Sequence, residues 1–256
     1  MREFVLAVAT GNPNKVGEIQ AVLGSLGVRV LTATEAGAPE DFAPVENGAT
    51  FEENSRVKAM ALAKALSQKA HVDDAYGAGD AGGDRAVVID GVIADDSGLC
   101  VDALNGAPGV CSARFADAPT DERNTAKLLG LLDGVSRAER AARFVCVVTL
   151  VARAEDGSWT DGAREIVCRG ECEGRIAFEP RGESGFGYDP VFIPLTEEAG
   201  KDVSGANREG AANEEGRAAR TFAEMTPEEK NAISHRALAL AQLYEKMAGM
   251  RKDDDE

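Results

Sequence analysis

Apolar positions along the chain follow two different spacings. Short apolar runs such as Phe4–Ala9 and Val28–Leu31 are typical of strands that are buried on both faces. Between these runs, Val16, Ile19 and Leu23 lie three and four positions apart, which is the spacing of the buried stripe of a helix. The N-terminal part of the chain therefore predicts a strand, a helix and a second strand.

Later apolar runs predict further strands. Three of them cover Phe144–Ala152, Ile166–Cys172 and Val191–Ile193. A shorter pair, Val87–Ile89 and Val92–Ala94, flanks the dipeptide Asp90-Gly91, and this arrangement predicts a two-residue β-hairpin. The return strand of that hairpin would end at two adjacent acids, Asp95 and Asp96.

Capping residues mark where the helices begin. Asn12 followed by Pro13 predicts an N-cap with proline at the first helical position. The segments Thr50–Glu53 and Thr226–Glu229 have the pattern of a capping box, and Thr120 precedes the acidic first turn of another predicted helix.

The C-terminal helical region is expected to contain a break. On one straight helix, Lys230 and His235 would point about 140° apart and could not serve one ligand. We therefore predict that the helix ends near Ile233 and that Ser234 is the N-cap of a new helix. His235 and Arg236 would then lie in the first turn of that helix, beside its positive end.

Polar segments interrupt this pattern in two places. Residues 71–85 and 197–217 contain few large apolar residues and show no periodicity, so we expect flexible surface insertions there. Residues 253–256 form a solvated acidic tail. No linker divides the remainder, and we expect one domain over residues 1–256.

Composition and charge exclude several classes of protein. The net charge of -16 argues against a nucleic-acid partner, because binding to a phosphate backbone requires a basic face. Nothing resembles a signal peptide or an apolar span of 18 residues, so we expect a cytoplasmic protein with no membrane partner.

The five cysteines are an odd number and lie mostly in strand-like runs, which favours buried thiols. Cys168 and Cys172 have no second pair or nearby histidine that would complete a zinc site.

The segment Ile93–Leu99 is the first candidate for chemistry. It contains two adjacent carboxylates, a serine and a glycine at the end of an apolar run. Unpaired charge near a core is costly, so a divalent cation, a phosphate bound through one, or a nearby lysine is needed. A plain turn is the alternative, since Asp, Ser and Gly are common turn residues.

A second candidate follows the first predicted strand. Thr10-Gly11-Asn12 leads directly into a helix start, where backbone N–H groups and the helix dipole favour a bound phosphate. Lys15 adds a positive charge in the first turn. The alternative is that Asn12 only caps the helix and Lys15 is solvated. A third group, Glu46, Glu53, Asn54 and Lys58, surrounds the next helix start, where such charges are usually solvated.

Taken together, these segments resemble the inosine triphosphate pyrophosphatase family. The matching segments are Ala9–Asn12 with Lys15, Asn47–Asn54, Ile93–Leu99, Gly106–Gly109 with Ser112–Phe115, Gly185–Pro190, and Thr221–Glu224 with Ser234–Arg236. The resemblance implies hydrolysis of noncanonical purine nucleoside triphosphates (ITP, dITP and XTP) to the monophosphate and pyrophosphate. It also implies an α/β fold, with an elongated mixed twisted sheet flanked by helices, two lobes around a central cleft, and a homodimer.

The same resemblance implies a role for each site residue. The triphosphate would be held by Thr10, Gly11, Asn12, Pro13, Asn14 and Lys15. Ser97 would also contact the substrate, and the purine and its phosphates would be contacted by Phe186, Gly187, Tyr188, Asp189, Lys230, His235 and Arg236. Asp96 would be catalytic and would bind Mg²⁺, with Asp95 and Glu46 as further acidic metal ligands. Some relatives carry another acid where this chain has Val45.

Several alternatives remain open from the sequence. Asp96 would either deprotonate the attacking water or only position it, since an ordinary aspartate is a weak base at neutral pH. A donor such as Arg236 or a protonated His235 would favour the 6-oxygen of inosine and xanthosine over the amino group of adenosine. Other functions remain possible as well, namely a related pyrophosphatase for modified pyrimidine nucleotides and a non-catalytic nucleotide-binding protein.

Overall fold

The computed structural model describes residues 3–75, 87–154, 156–159, 164–195 and 219–253. Within this part of the chain there are six strands and five α-helices. The strands are β1 (Phe4–Val8), β2 (Val28–Thr32), β3 (Gly91–Val101), β4 (Ala141–Ala152), β5 (Arg164–Ile176) and β6 (Phe192–Pro194). The helices are α1 (Pro13–Ser25), α2 (Phe51–Ala75), α3 (Asp121–Leu131), α4 (Pro227–Ile233) and α5 (His235–Asp253).

All six strands belong to one sheet, in the order β2-β1-β3-β4-β5-β6. Strand β1 is parallel to both β2 and β3, whereas β5 and β6 are antiparallel, so the sheet is mixed. The register of β1 and β3 pairs Leu6 with Gly91 and Val8 with Ile93. The predicted α/β fold with a mixed sheet and flanking helices is confirmed.

The described chain forms two compact units. The first unit contains residues 1–96, 146–170 and 236–256, and the second contains residues 97–145 and 171–235. The boundaries fall inside β3, β4 and β5 and between His235 and Arg236. The chain therefore passes from one unit to the other within continuous strands and through no linker.

The first unit has two apolar clusters, one on each face of its strands. Leu6, Ile93 and Leu240 belong to the cluster that includes α1 and α5. Ala7 and Val92, which are the sequence neighbours of Leu6 and Ile93, belong to the cluster that includes α2. Neighbouring residues of a strand point to opposite faces, so these parallel strands are buried on both sides.

The only tryptophan of the chain lies in the α2 cluster of the first unit. Trp159 is 4% exposed, and the guanidinium of Arg153 lies 5.8 Å from the centre of its indole ring. An arginine over an aromatic face is a favourable cation–π contact. The indole is therefore packed between apolar side chains and one cation.

The second unit has a core that is rich in aromatic residues. Phe144 contacts Phe192 edge to face at 4.6 Å between ring centres, and Phe222 lies 5.0 Å from Phe192. Next to this core, the buried Arg140 donates hydrogen bonds to the carbonyls of Leu132, Val135 and Ala177. The Leu132 carbonyl is at the C-cap of α3, where carbonyl groups lack a partner within the helix, whereas Val135 and Ala177 belong to the segments after α3 and after β5.

The predicted helix boundaries are confirmed at most positions. Asn12 caps α1 with Pro13 as the first helical residue, Thr120 caps α3, and Thr226 forms a full capping box with Glu229. At α2, Thr50 accepts from the Glu53 N–H, although the Glu53 carboxylate turns to the N–H of Ala49. The predicted break is also present, because α4 ends at Ile233 and α5 begins at His235, with extended Ser234 between them.

The predicted hairpin at Asp90-Gly91 is wrong. Residues 87–90 form no strand, and β3 begins at Gly91. Asp90 instead bonds to β1, because its carboxylate accepts from the N–H of Val5 and its own N–H donates to the Val5 carbonyl, each at 2.8 Å. A Cβ on Gly91 would lie 2.9 Å from Leu6 and 2.8 Å from Leu150. Close packing therefore requires this glycine, and no turn is present.

The predicted insertion at 71–85 begins later than expected, because α2 continues to Ala75. The rest of that segment and the predicted insertion at 197–217 lie outside the described residues. The predicted acidic tail also overlaps a helix, since Asp253 is the last residue of α5 and residues 254–256 are not described.

All five cysteines are thiols, and three of them, Cys146, Cys168 and Cys172, are buried as predicted. Among the helices that the structure describes, none is both long enough and apolar enough to cross a membrane.

Candidate active site

Strand β3 carries the two adjacent acids into the interior of the first unit. Asp95 is 1% exposed and Asp96 is 5% exposed. Neighbouring side chains on a strand point to opposite faces, so the two carboxylates serve different partners. The predicted turn alternative is wrong, because both residues lie inside a regular strand.

Asp95 is the centre of a buried ion network. Its Oδ2 accepts from Lys15 Nζ at 2.9 Å and from Arg236 Nη2 at 3.0 Å. Arg236 is 2% exposed and also pairs with Glu18 through its Nη1 atom. Two cations and two anions therefore alternate in this network, which offsets the cost of burying each charge.

Asp96 has a separate set of partners. Its Oδ1 accepts from Lys58 Nζ at 3.1 Å, and its Oδ2 accepts from the side-chain amide of Asn54 at 3.1 Å. Lys58 also lies 3.3 Å from Glu46 Oε1, so one ammonium joins two carboxylates. Asn54 and Lys58 are one turn apart on α2, which places both side chains on the helix face towards β3.

Burial and charge act against each other at this pair. Burial raises the pKa of Asp96, and the charges of Lys58 and Lys15 and the bond from Asn54 offset only part of that rise. Burial lowers the pKa of Lys58, but the carboxylates of Asp95, Asp96 and Glu46 outweigh burial and raise it. The ammonium is therefore held firmly in its charged form.

The carboxylates around Lys58 fit a divalent cation. Asp96 and Glu46 both direct an oxygen towards one positive charge, and Mg²⁺ typically takes one or two carboxylates while its other ligands are waters and phosphates. Asp95, the third predicted ligand, directs its Oδ2 at Lys15 and Arg236. In the described part of the chain, no three His, Cys, Asp or Glu side chains form a complete metal cage.

The loop after β1 forms the start of α1. Asn12 Oδ1 accepts from the N–H groups of Asn14 and Lys15, and Thr10 Oγ1 accepts from the N–H of Asn12. A pocket of about 390 Å³ adjoins this loop, and its lining includes Thr10, Gly11 and Pro13 together with residues of 32–42. The six predicted triphosphate residues thus form one local structure, whose Lys15 reaches Asp95.

Three of the residues predicted to contact the base and phosphates form a cluster in the second unit, whereas Arg236 lies in the first unit. Asp189 Oδ2 accepts from Lys230 Nζ at 2.7 Å and from the N–H of Phe186 at 2.9 Å. The Lys230 ammonium lies 4.8 Å from the centre of the half-buried Phe186 ring. Lysine, aspartate and phenylalanine are thus held together within one loop and α4.

Tyr188 and His235 are buried in the same unit. The Tyr188 hydroxyl donates to the carbonyl of Ser112 at 2.9 Å. Burial raises the pKa of this phenol, and the charge of Asp121 adds to the rise. His235 stacks on Phe144 at 4.7 Å between ring centres and is 4% exposed. Ser97, the residue after Asp96, is half-buried on the part of β3 that belongs to this unit.

Asn54 and Lys58 were grouped at the start of α2 with a solvated interpretation, which is wrong because both are buried, and Glu18 was not singled out. The sequence does carry a signal for each of them. Lys58 follows Asn54 by four positions in the capped start of α2, and Glu18 follows Lys15 by three positions in α1. Such spacings place side chains on one helix face, but they do not reveal that β3 supplies their partners.

The fold and these contacts define a class of protein: an α/β protein in which a capped helix start after the first strand adjoins two buried, cation-paired carboxylates. The sequence model of the Ham1 family matches residues 6–246. The chain belongs to the Ham1 family, and this confirms the resemblance that the sequence motifs carry.

Individual relatives agree with this assignment. The chain is 38% identical over 248 residues to a Synechocystis protein named dITP/XTP pyrophosphatase, with 97% of each chain covered. It is 40% identical over 247 residues to a Geobacillus kaustophilus protein of the same name, covering 96% of this chain and 94% of that protein.

Two solved structures are similar along nearly the whole chain. The Staphylococcus aureus Ham1 protein has a TM-score of 0.67 and 31% identity, covering 96% of this chain and 99% of that one. A structure described as the nucleoside-triphosphatase or dITP/XTP pyrophosphatase of Mycobacterium abscessus has a TM-score of 0.59 and 36% identity, covering 94% and 98%.

Proposed function

We propose that this chain is a nucleoside-triphosphate pyrophosphatase that hydrolyses ITP, dITP and XTP to the monophosphate and pyrophosphate. The enzyme would remove these noncanonical purine nucleotides from the nucleotide pool. Family membership and relatives named dITP/XTP pyrophosphatase support the reaction. The observation that carries the proposal is the buried Asp96, held by Lys58 and Asn54 in the unit that also contains the phosphate cradle.

The first unit supplies the groups for the triphosphate and the attack. Lys15 and the N-terminal amides of α1 would offset charge on the phosphate oxygens. Asp96 would accept a hydrogen bond from the attacking water and so align it with the phosphorus. Lys58 and Asn54 keep the Asp96 carboxylate in one orientation, because each bonds to a different carboxylate oxygen.

We propose Mg²⁺ as the cofactor, with Asp96 and Glu46 as the residues that would hold it. When bound, the ion would polarise phosphate oxygens and offset the charge of the departing pyrophosphate. Glu46 Oε1 and Asp96 Oδ1 both face the Lys58 ammonium, and this supports the assignment of these two residues. Carboxylate oxygens are the protein ligands that Mg²⁺ prefers.

The second unit supplies the groups for the base. Phe186 would stack on the purine, and Lys230, beside that ring, is the candidate donor to the 6-oxygen of inosine and xanthosine. Adenosine presents an amino group at that position, which would face a donor and be rejected. Arg236 is a weaker candidate for this role, because it pairs with Asp95 and Glu18 in the first unit, whereas the ammonium of Lys230 lies over the Phe186 ring.

The test is pyrophosphate release from ITP, XTP, dITP, ATP, GTP and dUTP with Mg²⁺ and with a metal-free control. Strong release from the inosine and xanthosine compounds alone would support the proposal. Release from dUTP would favour a pyrimidine-directed pyrophosphatase, and tight binding of ITP without turnover would favour a nucleotide-binding protein. Comparable release from ATP, or release of phosphate, would contradict the proposed chemistry.

We further propose that the enzyme is a homodimer, as the family resemblance implies, and that it acts in the cytoplasm. Its substrates arise where nucleotides are synthesised and used, and this supports the location. Light scattering after size-exclusion chromatography tests the dimer, and a mass near 26.8 kDa, that of one chain, would contradict it.

A further inference from the structure

Helix α3 holds the backbone of the aromatic loop 182–189 at one residue. Asp121 Oδ2 accepts from the N–H of Gly187 at 2.7 Å, and Thr125 Oγ1 hydrogen-bonds to the Gly187 carbonyl at 3.4 Å. Asp121 and Thr125 are four positions apart, so they lie on one face of α3. The donor and the acceptor of Gly187 are thus both bound by the same helix.

Gly187 is a critical position in this loop. Its φ of 63° lies in the left-handed region that favours glycine, so the loop reverses there. The residues on either side are Phe186, which the proposed function places against the purine, and Tyr188, whose hydroxyl is bound to Ser112. A shift of the Gly187 backbone would therefore move the Phe186 ring directly.

Neither contact is needed to complete α3 itself. Thr120 already caps the helix, with its side chain accepting from the N–H of Arg123. Both Asp121 and Glu122 place a negative charge in the first turn, where the helix dipole favours it. Of these two acids, Asp121 is the one that bonds to the aromatic loop. Variants of the two acids can therefore distinguish an effect on helix stability from an effect on the position of the loop.

We propose that Asp121, together with Thr125, is a positioning residue that fixes Phe186 for binding of the purine base. The inference rests on the proposed function for the identity of the ligand. It predicts that loss of the Asp121 acceptor weakens binding of the base and leaves the phosphate contacts in the first unit unchanged.

The experiment compares Asp121→Ala with Asp121→Asn and Glu122→Ala. Asparagine keeps an acceptor oxygen for Gly187, and Glu122→Ala removes a first-turn charge without affecting the loop. For Asp121→Ala we expect the KM for ITP to rise by about threefold to tenfold, with kcat changed by less than about twofold. Asp121→Asn and Glu122→Ala should stay near wild type. Inorganic triphosphate, which has no base, should inhibit all four proteins equally.

A second pair of variants tests the other contact. Thr125→Val removes the hydroxyl at nearly constant volume and should raise the KM for ITP. Thr125→Ser keeps the hydroxyl, so its KM should stay near that of wild type. An equal rise in KM for Asp121→Ala and Glu122→Ala would overturn the inference, because helix stability alone would then explain it. An unchanged KM in both Asp121→Ala and Thr125→Val would also overturn it.

Hydrogen exchange separates this inference from the proposed function. Deuterium uptake across residues 185–189 should increase in Asp121→Ala and not in Glu122→Ala, whether or not the protein hydrolyses ITP. Faster exchange in Asp121→Ala, together with a wild-type protein that does not hydrolyse ITP, would contradict only the proposed function. Unchanged exchange in Asp121→Ala beside an active wild type would contradict only the positioning role.

Discussion

At the scale of single residues, Asp96 and Lys58 depend on each other. The Asp96 side chain is 8% exposed and that of Lys58 is 6% exposed, and the contact joins positions 38 apart in sequence. Removing one member of a buried ion pair leaves the other charge without compensation. The free-energy cost of that unpaired charge is larger than the net stabilisation that the intact pair provides. Glu46 provides a second partner for Lys58, so the two residues should respond differently to substitution.

Asp96→Asn should abolish turnover while the fold survives. The amide has the shape of the carboxylate, and Lys58 keeps Glu46 as its counter-ion, so the melting temperature should change little. Pyrophosphate release from ITP should fall by at least about a hundredfold, because the amide is a poor acceptor for the attacking water. Asp117→Asn, at an exposed carboxylate, is the matched control. Near-normal turnover in Asp96→Asn would exclude the assigned role.

Lys58→Met should destabilise the metal-free protein by about 3 kcal/mol, because Asp96 and Glu46 lose their shared counter-ion. Added Mg²⁺ should then raise the melting temperature of the variant more than that of wild type, since the ion would replace the missing charge. Lys64→Met, at an exposed position of the same helix, is the control. Urea unfolding and thermal melting measure both effects, and an equal Mg²⁺ shift in all three proteins would contradict the metal assignment.

Cys172 should make stability depend on pH in the alkaline range. Burial raises the pKa of this thiol from 9.0 to about 12, and the nearby Glu173 adds to the rise. The unfolded chain therefore ionises first, so the stabilisation is complete below pH 9 and is lost between pH 9 and 12. At pH 10 the advantage of wild type over Cys172→Ala should be smaller by about 1.4 kcal/mol than at pH 8.

Urea unfolding at the two pH values measures this difference. Cys111→Ala, at an exposed cysteine, should show no such change. A constant difference between wild type and Cys172→Ala would show that the thiol is not buried in solution.

At the scale of elements, local signals were predictable and contacts between distant segments were not. Asn12 and Thr226 bond to N–H groups two or three residues away, so their sequence pattern contains the whole interaction. The Asp90-Gly91 dipeptide has the sequence pattern of a hairpin turn. The role of Gly91 in the structure is instead close packing against Leu6 and Leu150, and these residues are too far away in sequence for a local pattern to reveal them. The same limit applies to the site, where the sequence predicted a lysine or cation near Asp96 but could not identify Lys58.

One buried arginine joins the C-cap of α3 to two other segments of the second unit. Arg140 is 3% exposed and bonds to three carbonyls, among them those of Leu132 and Ala177. Arg140→Met should therefore lower the free energy of unfolding by about 3 kcal/mol, because three carbonyls would each lose the hydrogen bond from the guanidinium. Arg114→Met, at an exposed position, should change it by less than about 0.5 kcal/mol. Equal stability of both variants would contradict the capping role.

At the scale of the whole molecule, the chain crosses between its two compact units inside β3, β4 and β5. Each of these strands contributes residues to both units, so neither unit consists of one continuous stretch of chain. The absence of a linker in the sequence predicted a single domain, and within the described residues the three strand crossings contain no linker.

The protein should therefore unfold in one cooperative transition. A strand that is shared by two units cannot be released from one of them without losing pairing partners in the other. Scanning calorimetry should give one peak whose calorimetric and van't Hoff enthalpies agree. Two resolved peaks, or a calorimetric enthalpy well above the van't Hoff value, would show that the units unfold independently.

Trp159 gives this protein a built-in optical probe. As the only indole in the chain, buried in the first unit beside Arg153, it accounts for all of the tryptophan fluorescence. Its emission should shift to longer wavelength when that unit opens to water, and it needs no label. Comparing the emission change with circular dichroism would therefore report the first unit separately from the whole, in every variant described above.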